Sequence, residues 1–144
     1  MALNPLGHAS TVLVEVPAET AFAYLADGLK QSDWTLGSWN REDLGDGLFR
    51  GTSLFDGTYT YVRLEPEPAS LLVDYWVGTD PDRLLRLNSA RIVPGPAVGR
   101  PEGTCLVTLL KWRTPSQSDE AWAVACGIFD TEVHMIKGRL ELGF

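Results

Sequence analysis

Histidine and cysteine are scarce in this sequence, with two residues of each. A zinc site built on His8 and His134 would need cysteine or carboxylate partners at ligand spacing, and none stands there. No metal and no cofactor are therefore expected. Cys105 and Cys126 fall singly in a strand-like and a helix-like segment, which suits small buried apolar groups rather than a disulfide. Also missing are a phosphate-cradling glycine loop, a dinucleotide fingerprint, a nucleophile elbow and an HExxH pair. Basic residues number 12 against 19 acids, for a net charge of −7, and form no cluster. Nucleic-acid affinity comes from Lys and Arg neutralising phosphates, so a nucleic-acid partner is not expected. The same acidity argues against docking on anionic membranes. No apolar run approaches the ~20 residues that cross a bilayer. The opening Met-Ala-Leu-Asn-Pro-Leu-Gly-His lacks the charged-then-apolar pattern of a secretory signal, so the cytoplasm is the expected compartment.

What is present is an ordinary globular balance, 44% hydrophobic and 22% charged over 144 residues. That length fits one domain, 1–144, able to bury roughly two-thirds of its unfolded surface without disulfides. Residues 8–16 alternate, with Val12, Val14 and Val16 on one face, and read as a half-buried strand. Pro17 and Glu19 suit the start of a short helix carrying Ala21, Phe22, Leu25 and Ala26. Asp27-Gly28 breaks it, and a second helical turn runs to about Trp34. Strands follow at 36–43, 47–55, 58–65, 70–78, 83–93 and 103–113, separated by Asp-Gly and Pro/Gly clusters. Such spacers signal antiparallel hairpins, and none is long enough for a parallel crossover. The last segment changes period. Ser116 or Ser118 caps a helix whose Trp122, Cys126, Phe129, Val133, Ile136 and Leu140 form one apolar stripe ending near Gly143.

A sheet of this length twists and curls, and a helix with one apolar stripe must bury that stripe against the sheet's concave face. A bowed sheet and a straight helix diverge somewhere along their contact. The gap is a place for a ligand.

The stretch Thr11-Val-Leu-Val-Glu-Val-Pro-Ala-Glu-Thr-Ala-Phe-Ala-Tyr-Leu-Ala-Asp27 resembles the opening strand, turn and first helix of the START-like, or SRPBCC, superfamily. Trp34, the hairpin Val62-Arg-Leu-Glu-Pro66 with Leu72-Val-Asp-Tyr-Trp-Val77, and the closing Lys137-Gly-Arg-Leu-Glu141 extend the likeness over nearly the whole chain. The group includes polyketide cyclases and aromatases, plant allergen-type carriers, lipid-transfer domains and Hsp90-activator-like proteins. This sequence reads closest to the polyketide cyclase/dehydratase-like branch. The resemblance implies an α+β helix-grip fold: a curved seven-stranded antiparallel sheet wrapped around the long C-terminal helix, with two short helices after the first strand. It further implies a small, mostly apolar or aromatic ligand in the cavity between sheet and helix. The alternative is a carrier, sensor or interaction module without turnover.

Large amphipathic aromatics are the natural lining of such a cavity, and equally the filling of an ordinary core. The ligand-lining candidates are Trp39, Tyr59, Tyr61, Tyr75, Trp112 and Phe129. If Lys111 and Arg113 face water, Trp112 faces inward with Thr108 and Leu110; if Asp74 is outward, Tyr75 is inward and Trp76 outside. Arg63 shares a face with Tyr59 and Tyr61, which leaves both sides open for them. The catalytic candidates are His8 as a base (either cavity-facing or in water), Tyr59 for proton transfer, and Arg86 and Asn88 for oxygen stabilisation. Arg86 and Asn88 share a face with Ala90 and Ile92; the opposite parity buries Leu85 and Leu87 instead. Asp130 and His134 stand four apart on the closing helix, well off its buried stripe, as in a solvent-facing ion pair. An apolar sheet face around Leu13, Leu71 and Trp76 leaves monomer and homodimer both open.

Overall fold

In a computed structural model that describes residues 3–143, seven strands make one sheet. The strands are β1 (Gly7–Val14), β2 (Trp39–Gly45), β3 (Leu48–Thr52), β4 (Tyr59–Glu67), β5 (Leu72–Gly78), β6 (Leu85–Pro94) and β7 (Cys105–Trp112). Helix α1 (Ala18–Leu25) and a 3-10 turn (Lys30–Asp33) separate β1 from β2, and α2 (Asp119–Leu142) ends the fold. The order across the sheet is β1-β7-β6-β5-β4-β3-β2, antiparallel throughout. From β2 onward every strand pairs with the next in sequence, as the tight Asp-Gly and Pro/Gly spacers require. Only β1 pairs non-locally, with β7. The α+β helix-grip architecture expected from the sequence is the observed one.

Local chemistry sets the boundaries. Pro17 is the N-cap of α1. Ser118, not Ser116, caps α2, its Oγ accepting from the Ala121 amide at 3.1 Å, and Gly143 ends the helix at φ 69°. β2 begins three residues later than the alternation suggests. The Thr35 hydroxyl donates to the Gln31 and Ser38 carbonyls and folds 35–38 into a tight connection. The core joins the inner face of β1, β5, β6 and β7 (Val12, Val14, Val73, Ile92, Val107) to Leu25 of α1 and to Phe129, Val133 and Ile136 of α2. Among the described residues, no helix is long and apolar enough to cross a membrane.

Three irregularities interrupt the ladder, one at Asp43–Gly45 beside the β2–β3 turn and two within the strands. Between the pairs Trp39–Thr52 and Glu42–Arg50, β2 carries one more residue than β3, with Asn40 at φ 52°. Between Tyr75–Asn88 and Trp76–Arg86, β6 carries an extra residue, Leu87. Each bulge reverses the inside-outside alternation beyond it.

Candidate functional site

Between the sheet and the N-terminal half of α2 lies a cavity of about 550 Å³, inside the roughly 300–1,000 Å³ of small-molecule sites. Val62, Val77, Leu109, Ile128 and Phe129 give it apolar walls, and the β3–β4 loop with Phe55 stands at its mouth. Asp56, also at the mouth, is exposed, and its carboxyl is held low by the backbone and hydroxyl hydrogen bonds of Thr58.

Set into these walls are three charged side chains. Glu132, only 3% exposed, lies on the flank of α2 that borders the cavity, and its Oε2 accepts the Leu36 amide at 2.8 Å. Burial pushes its carboxyl up from 4.5 to about 7, against the lowering effects of that hydrogen bond, Lys111 and Arg41. Arg41 comes from β2 and owes its inward direction to the first bulge: Trp39 and Glu42 pair with Thr52 and Arg50 on the outer face, and of the two residues between them Asn40 takes the positive φ while Arg41 turns in. Its guanidinium is held by the carbonyls of Gly28 and Ser38 and by Gln31 Oε1, and burial lowers its pKa from 12.5 to about 10. Lys111 comes from β7, with Nζ 3.3 Å from Asn88 Oδ1 and 5.0 Å from the Phe129 ring centroid; burial lowers its pKa as well. None of the ion pairs among the described residues includes Glu132, Arg41 or Lys111.

Tyr75 is 2% exposed beside them and donates its hydroxyl to the Leu25 carbonyl at 2.6 Å. Burial drives its pKa far up, so this phenol stays neutral and positions α1. Trp34 meets it edge-on, centroids 6.2 Å apart. Trp34 Nε1 and Ser38 Oγ are buried without a hydrogen-bond partner, and both residues line the cavity. Gly51 makes this possible. A Cβ there would fall 2.2 Å from Ser38 Oγ and 2.9 Å from its backbone, so only glycine lets the 35–41 segment lie on β3.

The aromatic and catalytic candidates from the sequence divide between the two faces. Tyr75, Phe129 and Asn88 line the cavity. Trp112 does not: it is 54% exposed, and Cys105, Val107, Leu109 and Lys111 face inward in place of the even-numbered set. Lys111 does not face water, because its ammonium is placed over Phe129 inside, and the parity of the whole strand turns with it. Tyr59 is 56% exposed and stacks under Arg50 on the outer face, where Tyr61 also pairs with Arg50; Thr60 and Val62 point in. Trp39 is outward because of the bulge that turns Arg41 in. Arg86 and Asn88 do not share a face, since Leu87 bulges between them, and Arg86 covers Trp76 outside, 5.6 Å from the ring.

His8 is on the inner face yet outside the cavity, its Nε2 2.8 Å from Asp130 Oδ1 under α2. Ser10 Oγ also donates to that oxygen. Asp130 thus contacts β1 rather than forming an ion pair with His134. Burial acts to raise its pKa, and the Ser10 and His8 hydrogen bonds outweigh that and hold it low. No cluster of three or more potential metal-ligating His, Cys, Asp or Glu occurs among the described residues.

Sequence reasoning missed Glu132, Arg41 and Lys111. Glu132 was visible in principle: at roughly 100° per residue it falls within about 60° of Phe129, a carboxylate inside the apolar arc. Arg41 had no such signal, because a bulge decides its direction.

No protein-family model and no curated protein matches the sequence. Solved structures do match in shape. A START superfamily protein from Mycobacterium smegmatis aligns over 96% of this chain and 99% of its own, with a TM-score of 0.71 and 14% identity. The Zhui aromatase/cyclase from Streptomyces sp. R1128 aligns over 94% and 93%, at 0.62 and 17%. The Aha1 dimer from Colwellia psychrerythraea aligns over 95% and 97%, at 0.68 and 14%. At such identities the likeness speaks for the fold alone, and the chain has the START-like (SRPBCC) helix-grip fold.

Proposed function

We propose that this protein binds a small, mostly apolar organic molecule, aromatic or polyene in character, in the cavity beside α2. Glu132 then exchanges a proton with it in cyclase- or dehydratase-type chemistry. The observation that carries the reading is a single buried carboxyl and two half-buried cations set into an otherwise largely apolar hollow. Apolar walls supply affinity and shape, and convergent titratable groups have no use in a purely apolar store. A carboxyl poised near neutrality can take a proton from a carbon beside a carbonyl and return it to a departing hydroxyl. Arg41 or Lys111 would hold the enolate oxygen meanwhile, and the net change is loss of one water. No nucleophile is required, only orientation. The aromatase/cyclase named among the structural matches agrees with this reading at the level of shape.

The test is native mass spectrometry of the wild type and Glu132→Gln, each purified from the native host. A dehydratase predicts a variant-bound molecule heavier than the wild-type one by one water. The same molecule in both would mark a carrier without turnover. No bound molecule in either, together with no affinity for a hydrophobic fluorescent probe, would end the ligand-binding reading itself.

A further inference from the structure

The charges in the cavity do not balance. Asp56 stands exposed at the mouth; in the interior, Arg41 and Lys111 outnumber Glu132, which is itself only partly ionised near neutral pH, and no ion pair among the described residues neutralises either cation. Both cations are half-buried, and a partly desolvated cation without a counter-ion carries a cost that is relieved when an anion binds against it. The neutral donors point the same way. Trp34 Nε1 can only donate, and it and the Ser38 hydroxyl are buried without partners in residues that line the cavity. Lys111 Nζ has, besides the face of Phe129, one long hydrogen bond to Asn88 at 3.3 Å for its three hydrogens. Surplus donors and surplus positive charge, in a protein whose net charge is −7, call for a ligand rich in acceptors and negative at one place.

Resting on the ligand-binding reading above, we infer that the cavity takes an organic monoanion: an apolar ring body carrying one carboxylate, whose oxygens are received by Arg41 and Lys111 with Glu132 beside them as a hydrogen-bond donor. A carboxylate accepts up to four hydrogen bonds, and charged donors make the strong ones. Glu132 can donate only when protonated, so binding draws a proton onto it. The titratable and charged groups that act on Glu132 are Arg41 from β2, Tyr75 from β5 and Lys111 from β7, with the Leu36 amide fixed on its Oε2. Of these Tyr75 stays neutral, and Glu132 lies nearest neutrality.

The experiment compares 1-naphthoate with 1-naphthamide, matched in ring and size but not in charge, by calorimetry in two buffers of different ionisation enthalpy. The naphthoate should bind at least about tenfold more tightly, as expected for charge-assisted contacts in a buried site. It should take up a fraction of a proton near neutral pH, and the amide none. Lys111→Met, which keeps the apolar stem, should abolish most of that preference. Glu132→Gln should abolish the proton uptake. Equal affinity for the two probes, or a preference for the amide, overturns the anion and leaves ligand binding standing. Uptake that survives in Glu132→Gln overturns the role given to that residue. Failure of both probes to bind at millimolar concentration removes the ligand-binding reading and this inference with it.

Discussion

Toward β1, helix α2 is laced to the sheet by polar contacts. Asp130 receives His8 and Ser10, Lys137 Nζ donates to the Leu13 carbonyl at 2.6 Å, and Glu141 Oε2 accepts the Glu15 amide at 2.8 Å. Toward the strands on its other side, the same helix presents Ala125, Ile128 and Glu132 to the cavity. The apolar stripe of Trp122, Cys126, Phe129, Val133 and Ile136 runs between the two flanks. One flank therefore uses its polar groups to fix the helix, and the other keeps a carboxyl in reserve. The difference explains why the hollow opens beside the N-terminal half of the helix. β1 and β7 are close enough for side chains to reach across, whereas Ala125 is too short to fill the space over β3 to β6.

Truncation on the stripe and truncation on the cavity flank should separate most widely. Ile136 is fully buried in the core, so Ile136→Ala should cost roughly 2–5 kcal/mol in denaturant unfolding, the transfer loss plus the new void. Ile128 already borders a void, so Ile128→Ala should cost only about 1 kcal/mol. Equal costs would mean that the flank is core and the hollow closes in solution.

Glu132→Gln has a pH signature that no residue of the latch, the β1-facing flank of Asp130, Lys137 and Glu141, shares. The native pKa is raised from 4.5 to about 7, so the wild type is at full strength below pH 4.5 and loses stability as pH rises through about 7. Glutamine cannot ionise and keeps an acceptor for the Leu36 amide. The variant should match the wild type at low pH and exceed it by roughly 3 kcal/mol above neutrality. Thermal unfolding across pH reads this directly, and parallel curves would show a solvated carboxyl.

On the latch side the sign is opposite and the effect smaller. Asp130→Ala leaves the buried Ser10 hydroxyl with His8 alone, at 3.3 Å, and should cost about 1–2 kcal/mol at neutral pH. The wild-type Asp130 is held below its usual 3.8, so its contribution stands above that pH and fades as acid protonates it. Urea unfolding at neutral pH and at about pH 3 compares the two states, and the gap between variant and wild type should narrow in acid.

The sheet, the meander from β2 to β7 and the final helix were legible because each rests on local pattern: period two, turn chemistry, then the stripe from Trp122 to Leu140; the non-local pairing of β1 with β7 has no such signal. The site was mostly illegible, and for two separate reasons. Parity counting holds only along an unbroken ladder, and bulges at Asn40–Arg41 and Leu87 reverse it where Trp39, Arg41, Arg86 and Asn88 lie. Parity also needs an anchor, and taking charge as the mark of the outer face fails where charge is kept inside for use. Lys111 inverted the whole of β7 in that way, and Glu132 was passed over beside Asp130. Tyr75 and Phe129, on regular segments with apolar neighbours, lie in the cavity wall.

The smallest expected effect bears on the residues that parity misplaced. Trp112 and Tyr59 stand outside, so Trp112→Ala and Tyr59→Ala should leave the affinity of a hydrophobic fluorescent probe unchanged to within about twofold, less than 0.5 kcal/mol. Thr60, next to Tyr59 in sequence, points into the cavity, and Thr60→Trp should weaken the same probe roughly tenfold or more by filling the space. Adjacent residues on one strand would then differ entirely in consequence because their side chains leave the sheet on opposite faces. A probe that responded to Tyr59→Ala and ignored Thr60→Trp would place the binding surface on the outer face, where Arg50 and Arg86 cover Tyr59 and Trp76.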